Sequence, residues 1–120
     1  MTPQTASFTQ ALHDGAVVVH ARGELDVAGA PAFRRALEEA IATGRERVVV
    51  DLAEATFLDS AGLAVVFGTQ RTLPVSQHMV LVNVPDRMRR VLRLAAVESV
   101  VEVHGPGEPQ PWLDGAQEGA

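Results

Sequence analysis

The stretch Thr56–Gly68, TFLDSAGLAVVFG, places an acid and a serine in front of a run of small and apolar residues. From Ala61 to Gly68 no side chain is polar, so a helix starting at Ser60 has no polar face in its first two turns. Such a helix is either buried on both sides or keeps one side for a partner. In a chain of 120 residues whose helices cover a sheet, burial on both sides is hard to arrange, which favours the partner. Ser60 is the expected N-cap. Leu63 stands where a capping box wants Glu or Gln, and the first turn holds no acid to meet the helix dipole. The terminus therefore reads as open beside a hydroxyl. A phosphate carried by Ser60 would bring about −1.5 to −2 charges there. The fold need not change to receive it, because free N–H groups at a helix start accept an anion.

Working outward, RVVVDLA (residues 47–53) is a short β-branched run that reads as a buried parallel strand. Upstream, SFTQALHDGAVVVHARGEL reads as a hairpin turning at Asp14-Gly15, with strands near 7–12 and 16–22. Between them, Phe33, Ala36, Leu37, Ala40 and Ile41 fall on one helical stripe, with Arg34, Arg35, Glu38 and Glu39 outside. Pro31 suits the first turn of that helix and Gly44 its C′ position. Downstream come a strand in HMVLVNV and a helix in PDRMRRVLRLAAV, with Met88, Val91, Leu92 and Ala95 inward. A final strand lies in SVVEVH.

The predicted order is β-β-α-β-α-β-α-β, a single small α/β domain with a mixed sheet and helices packed on it. Residues 1–104 form that domain. Residues 105–120, GPGEPQPWLDGAQEGA, carry four glycines, three prolines, three acids and no base, and are expected to be a disordered tail. Strand–helix–strand crossovers are right-handed, so the loops Gly23–Gly29 and Leu58–Gly62 both emerge at the carboxyl edge of the sheet. Asp26 and Ser60 are thus expected as neighbours.

Composition narrows the function. The formal net charge is −5 and all ten basic residues are arginines, which argues against a nucleic-acid footprint. The chain has no cysteine, so disulfide and thiolate chemistry are excluded. No apolar run approaches the roughly 20 residues of a spanning helix, and no signal segment opens the chain. A cytoplasmic protein without membrane insertion is expected.

With these residues in hand, the chain resembles a STAS domain of the anti-sigma-factor antagonist type, from about Phe8 to His104. GELDVAGAPAFRRAL resembles the family's Gly-Glu-Leu-Asp strand end and following helix. VVVDLAEATFLDSAGLAVV resembles its central signature of strand, Asp-Ser and Gly-Leu. The resemblance implies an antagonist that, unmodified, binds an anti-sigma factor and so frees a sigma factor. The anti-sigma factor is a serine kinase acting on the antagonist, and a serine phosphatase reverses the step. It places the phosphoacceptor at Ser60, recognition acids at Asp26 and Asp59, and Gly62 and Leu63 in the contact surface. It implies no catalysis by this chain, no cofactor, and a monomer when free. Two connections depart from the family: RTLPVSQHM stands where a glycine pair is common, and RLAAV where Thr-Gly-Leu is common.

Other chemistries fit less well. LDSAG has Leu58 where a Gly-x-Ser-x-Gly elbow needs glycine, and His13, His20, His78 and His104 show no relation to Ser60. Asp51, Glu54 and Asp59 have no metal-ligand spacing, and no glycine-rich phosphate loop is present. Arg87, Arg89, Arg90 and Arg93 read first as a solvated helix face, supported by an Asp86–Arg90 pair at i, i+4, and second as a contact for an acidic partner. The rival from another class is a non-switching STAS scaffold subunit, in a stressosome-like or lipid-transport assembly.

Overall fold

The computed structural model describes residues 5–110. Its elements are β1 (Ser7–His13), β2 (Ala16–Leu25), α1 (Ala30–Ala42), β3 (Arg47–Leu58), α2 (Ser60–Thr72), β4 (His78–Val82), α3 (Asp86–Leu94) and β5 (Glu102–Val103). A 3₁₀ turn at Val97–Ser99 precedes β5. The strands lie in chain order across one sheet, β1 antiparallel to β2 and the others parallel. The predicted order is therefore the observed one, in a small mixed-sheet α/β fold.

The hairpin turns at Asp14-Gly15 with Gly15 at φ +80°, a conformation that glycine adopts without cost. α1 buries Phe33, Leu37 and Ala40, with proline in its first turn. Thr43 caps its end and Gly44 follows at φ +75°, the left-handed residue that stops the helix. Along the parallel strands successive valines face opposite sides. Val48 and Val50 join the helix-covered core while Val49 joins a second cluster with Ala16, Val18, Val80 and Val82. Residues of all three helices belong to the first cluster; the second is built of sheet residues alone.

Several boundaries differ from expectation, β2 among them, since it runs to Leu25 rather than ending near residue 22. β3 continues to Leu58, five residues beyond the run read as its strand, because β2 keeps pairing with it up to Leu25↔Leu58 through two register shifts. α3 stops at Leu94, since Ala96 turns into the left-handed region at φ +60° and breaks the helix before Val97. β5 shrinks to two residues, with Val97–Ser99 taken by the 3₁₀ turn.

The chain past His104 is tied back to the body through Glu108. Glu108 accepts from the Arg89 guanidinium at 3.0 Å and from the Gly105 N–H at 2.9 Å, and its other oxygen lies 3.0 Å from His104 Nδ1. The part of the expected tail that holds Trp112 and Leu113 lies outside the described residues.

Candidate functional site

The site grows from the parallel pairing of β2 and β3. Leu25 and Leu58 end the ladder side by side, so the segments that follow leave the sheet together. The Asp59 N–H donates to the Leu25 carbonyl at 3.4 Å, which stitches one loop to the other. Asp26 and Asp59-Ser60 thus occupy one sheet edge, as the crossover argument required.

Each acid is held by its own backbone. Asp26 Oδ1 accepts the Gly29 N–H at 3.0 Å and folds the loop back before α1. Asp59, in extended conformation, caps α2: its Oδ1 accepts from the N–H groups of Ala61 at 2.8 Å and Gly62 at 3.2 Å. This corrects the capping expected of Ser60. Ser60 is the first helical residue, and the terminus is closed by the neighbouring carboxylate. A carboxylate is the stronger partner because it meets both the orphan N–H groups and the positive end of the helix.

Ser60 is exposed, and its hydroxyl has no hydrogen bond among the described residues. Gly62 is buried. A Cβ on it would lie 2.5 Å from the Leu25 carbonyl oxygen and 2.5 Å from Leu58 Cδ1. Its missing side chain lets the first turn of α2 rest directly on the strand ends, so it shapes the site from beneath. Leu63 is half-buried against the core edge, and Ala64 beyond it is exposed.

α2 is thus buried on one side only, through Gly62, Val65, Val66 and Thr69. Its other side is a smooth surface of Ala61, Ala64 and Gly68. A shallow groove of about 190 Å³ runs between it and α1, edged by Arg34 and Glu38.

One large apolar residue here was missed from sequence. Phe57 stands 48% exposed three positions before Ser60. The strand period could have shown it: with Leu58 inward, Phe57 must face out.

The other polar groups are engaged elsewhere. His20 Nδ1 lies 3.0 Å from Asp51 Oδ2, and the other Asp51 oxygen accepts from Asn83 Nδ2 and from the Ala53 N–H, each at 3.0 Å. His104 is held between Glu102 and Glu108. Arg89 and Arg93 pair with Glu98, and Arg89 also with Glu108. No Asp86–Arg90 ion pair forms among the described residues. None of their His, Asp and Glu groups clusters in a way that could hold a metal ion, and no helix of theirs is long and apolar enough to cross a membrane.

Set beside known proteins, residues 8–102 match the family model described as Mlab, STAS domain. The chain belongs to the STAS domain family, in its anti-sigma factor antagonist group, whose members are regulators without enzymatic activity. An anti-sigma-B factor antagonist of Listeria monocytogenes is 32% identical over 84 residues, 68% of this chain and 72% of that one. A crystal structure of an anti-sigma factor antagonist from Mycobacterium paratuberculosis superposes with a TM-score of 0.80 at 28% identity, covering 96% of this chain and 93% of that one. The phosphorylated form of the Bacillus cell fate determinant SpoIIAA superposes with a TM-score of 0.61 at 25% identity, covering 81% and 90%.

Proposed function

We propose that this chain is a phosphorylation-controlled anti-sigma factor antagonist. Unmodified, it binds an anti-sigma factor that is also a serine kinase, and a sigma factor is released. Phosphate on Ser60 ends the binding, and a serine phosphatase restores it. Asp26 and Asp59 frame the acceptor, Leu63 touches the partner, and Gly62 sets how closely α2 sits on the strand ends. The cytoplasm is where such an exchange takes place.

The observation that carries this reading is Ser60 standing exposed at the first position of α2, directly after a carboxylate already committed to the helix N–H groups. A phosphate there cannot take the Ala61 and Gly62 N–H groups without displacing Asp59. It remains at the surface as a dianion beside two acids. A partner laid on the small-residue side of α2 would then meet repulsion and lose hydration energy, while the domain keeps its fold. A tenfold loss of affinity requires only about 1.4 kcal/mol. The likeness to a relative solved in phosphorylated form supports the same reading.

The test uses wild type, Ser60→Ala and Ser60→Asp as baits in lysate of the native host, followed by ATP. A protein kinase of the anti-sigma type retained by wild type and Ser60→Ala, lost by Ser60→Asp, and phosphorylating only wild type at Ser60 is the expected result. If all three baits keep the same partners, the switch is wrong and the smooth face of α2 belongs to a constant scaffold.

A further inference from the structure

We propose that the groove between the end of β3 and α3 is a second docking point for the anti-sigma factor, holding one apolar side chain with a carboxylate beside it; the identity of that partner rests on the function proposed above. β4 pairs with β3 only from Arg47 to Asp51, so the last residues of β3 run on beyond it with α3 alongside. The space left there is about 250 Å³, lined by Thr56, Phe57, Leu58, Arg87, Met88 and Val91. That is smaller than a drug-sized pocket and suited to a single side chain.

The lining has the character of a binding hot spot. Leu58 and Met88 are buried and make the floor, while Phe57 keeps about half its surface open at the rim. An aromatic anchor next to a pliable methionine gains most when a partner side chain completes its burial.

Charge fixes what accompanies that side chain. On a chain of net charge −5, α3 is locally basic. Arg89 and Arg93 are spent on Glu98 and Glu108, whereas exposed Arg87 and Arg90 have no ion pair among the described residues. Arg87 lines the groove, and its planar fork suits a carboxylate. Leu58 lies two residues before Ser60, so one partner face can cover both.

The probe is the blocked peptide acetyl-Ala-Leu-Asp-Ala-amide, titrated into ¹⁵N-labelled full chain and followed by amide shifts, with acetyl-Ala-Leu-Asn-Ala-amide as control. Shifts should gather at Phe57, Met88 and Val91, and the asparagine peptide and the Arg87→Glu variant should each bind about twofold to fivefold more weakly, as for an exposed ion pair. Phe57→Ser should abolish the response; should that variant not fold, Arg87→Glu alone decides. The bait experiment reads the switch at Ser60 and this titration reads the groove without any partner protein, so a failed switch and an empty groove are told apart. No shifts at the groove at millimolar peptide, or equal binding of both peptides, overturns the proposal. So does a dimer in sedimentation equilibrium that Phe57→Ser dissolves, since a second copy would then be the occupant.

Discussion

The carboxylate of Asp59 lies 2.8 Å from the N–H of Ala61 and 3.2 Å from that of Gly62, while the Ser60 hydroxyl between them in sequence has no such bond. The cap therefore belongs to Asp59, and in the function proposed above the phosphate falls on its neighbour Ser60. Asp59→Ala should destabilise the domain by about 1 kcal/mol, the usual cost of a lost cap, seen as a fall in Tm of about 4–8 °C. Ser60→Ala should stay within about 0.5 kcal/mol of wild type in the same melting experiment. Equal losses in the two variants would return the cap to Ser60.

Gly62→Ala tests the close approach of α2 to the strand ends. Alanine is the better helix former, so an isolated helix would gain. Here the added methyl meets the backbone oxygen of Leu25, which cannot swing aside. A net loss of about 1–3 kcal/mol in urea unfolding is expected, as for an overpacked core.

The clasp after β5 makes stability depend on pH in two windows. The Gly105 N–H, the Arg89 guanidinium and His104 hold the Glu108 carboxyl down at about 2. Its contribution is fully present above the ordinary glutamate range and is lost as pH falls from about 4.5 toward 2. For His104, burial works against protonation, but bonds to Glu102 and Glu108 outweigh it and raise its pKa. That contribution is present in acid and disappears as pH rises past the ordinary histidine range. Glu108→Gln should accordingly melt lower than wild type at pH 6, with the gap closing toward pH 2. A gap independent of pH would mean that the clasp is not ionic.

Phe33 is fully buried and stacks on Phe8 with ring centroids 5.5 Å apart. Phe33→Ala should cost about 3–5 kcal/mol, the largest single loss on α1. Ala64→Arg, on the exposed side of α2, should leave Tm nearly unchanged while weakening capture of the partner proposed above. A stability loss from Ala64→Arg would place that side in the core.

Much of this architecture was readable from periodicity. The α1 stripe, the Asp14-Gly15 turn and the glycine stop at Gly44 are local events, decided by residues within a few positions of one another. What sequence missed depends on distant partners. The end of β3 is prolonged by its pairing with β2, and the end of α3 is cut by a backbone turn at Ala96 that no glycine announces. At the site, the emergence of the Asp26 and Ser60 segments at one sheet edge follows from β2 and β3 being parallel. The capping role does not, because Asp59 and Ser60 are both good caps and adjacent. Only the dihedral angles at Asp59 choose between them.

The parallel pairing of β2 with β3 also governs how the chain comes off the ribosome. β2 is complete at Leu25, but its long-range partner begins at Arg47, on the far side of α1. At about 5–20 residues per second, its valines wait a second or more with only the β1 hairpin for cover. The next strand carries its own protection: Arg47 and Asp51 bracket Val48–Val50, so this second valine run meets other chains with a charge at either end.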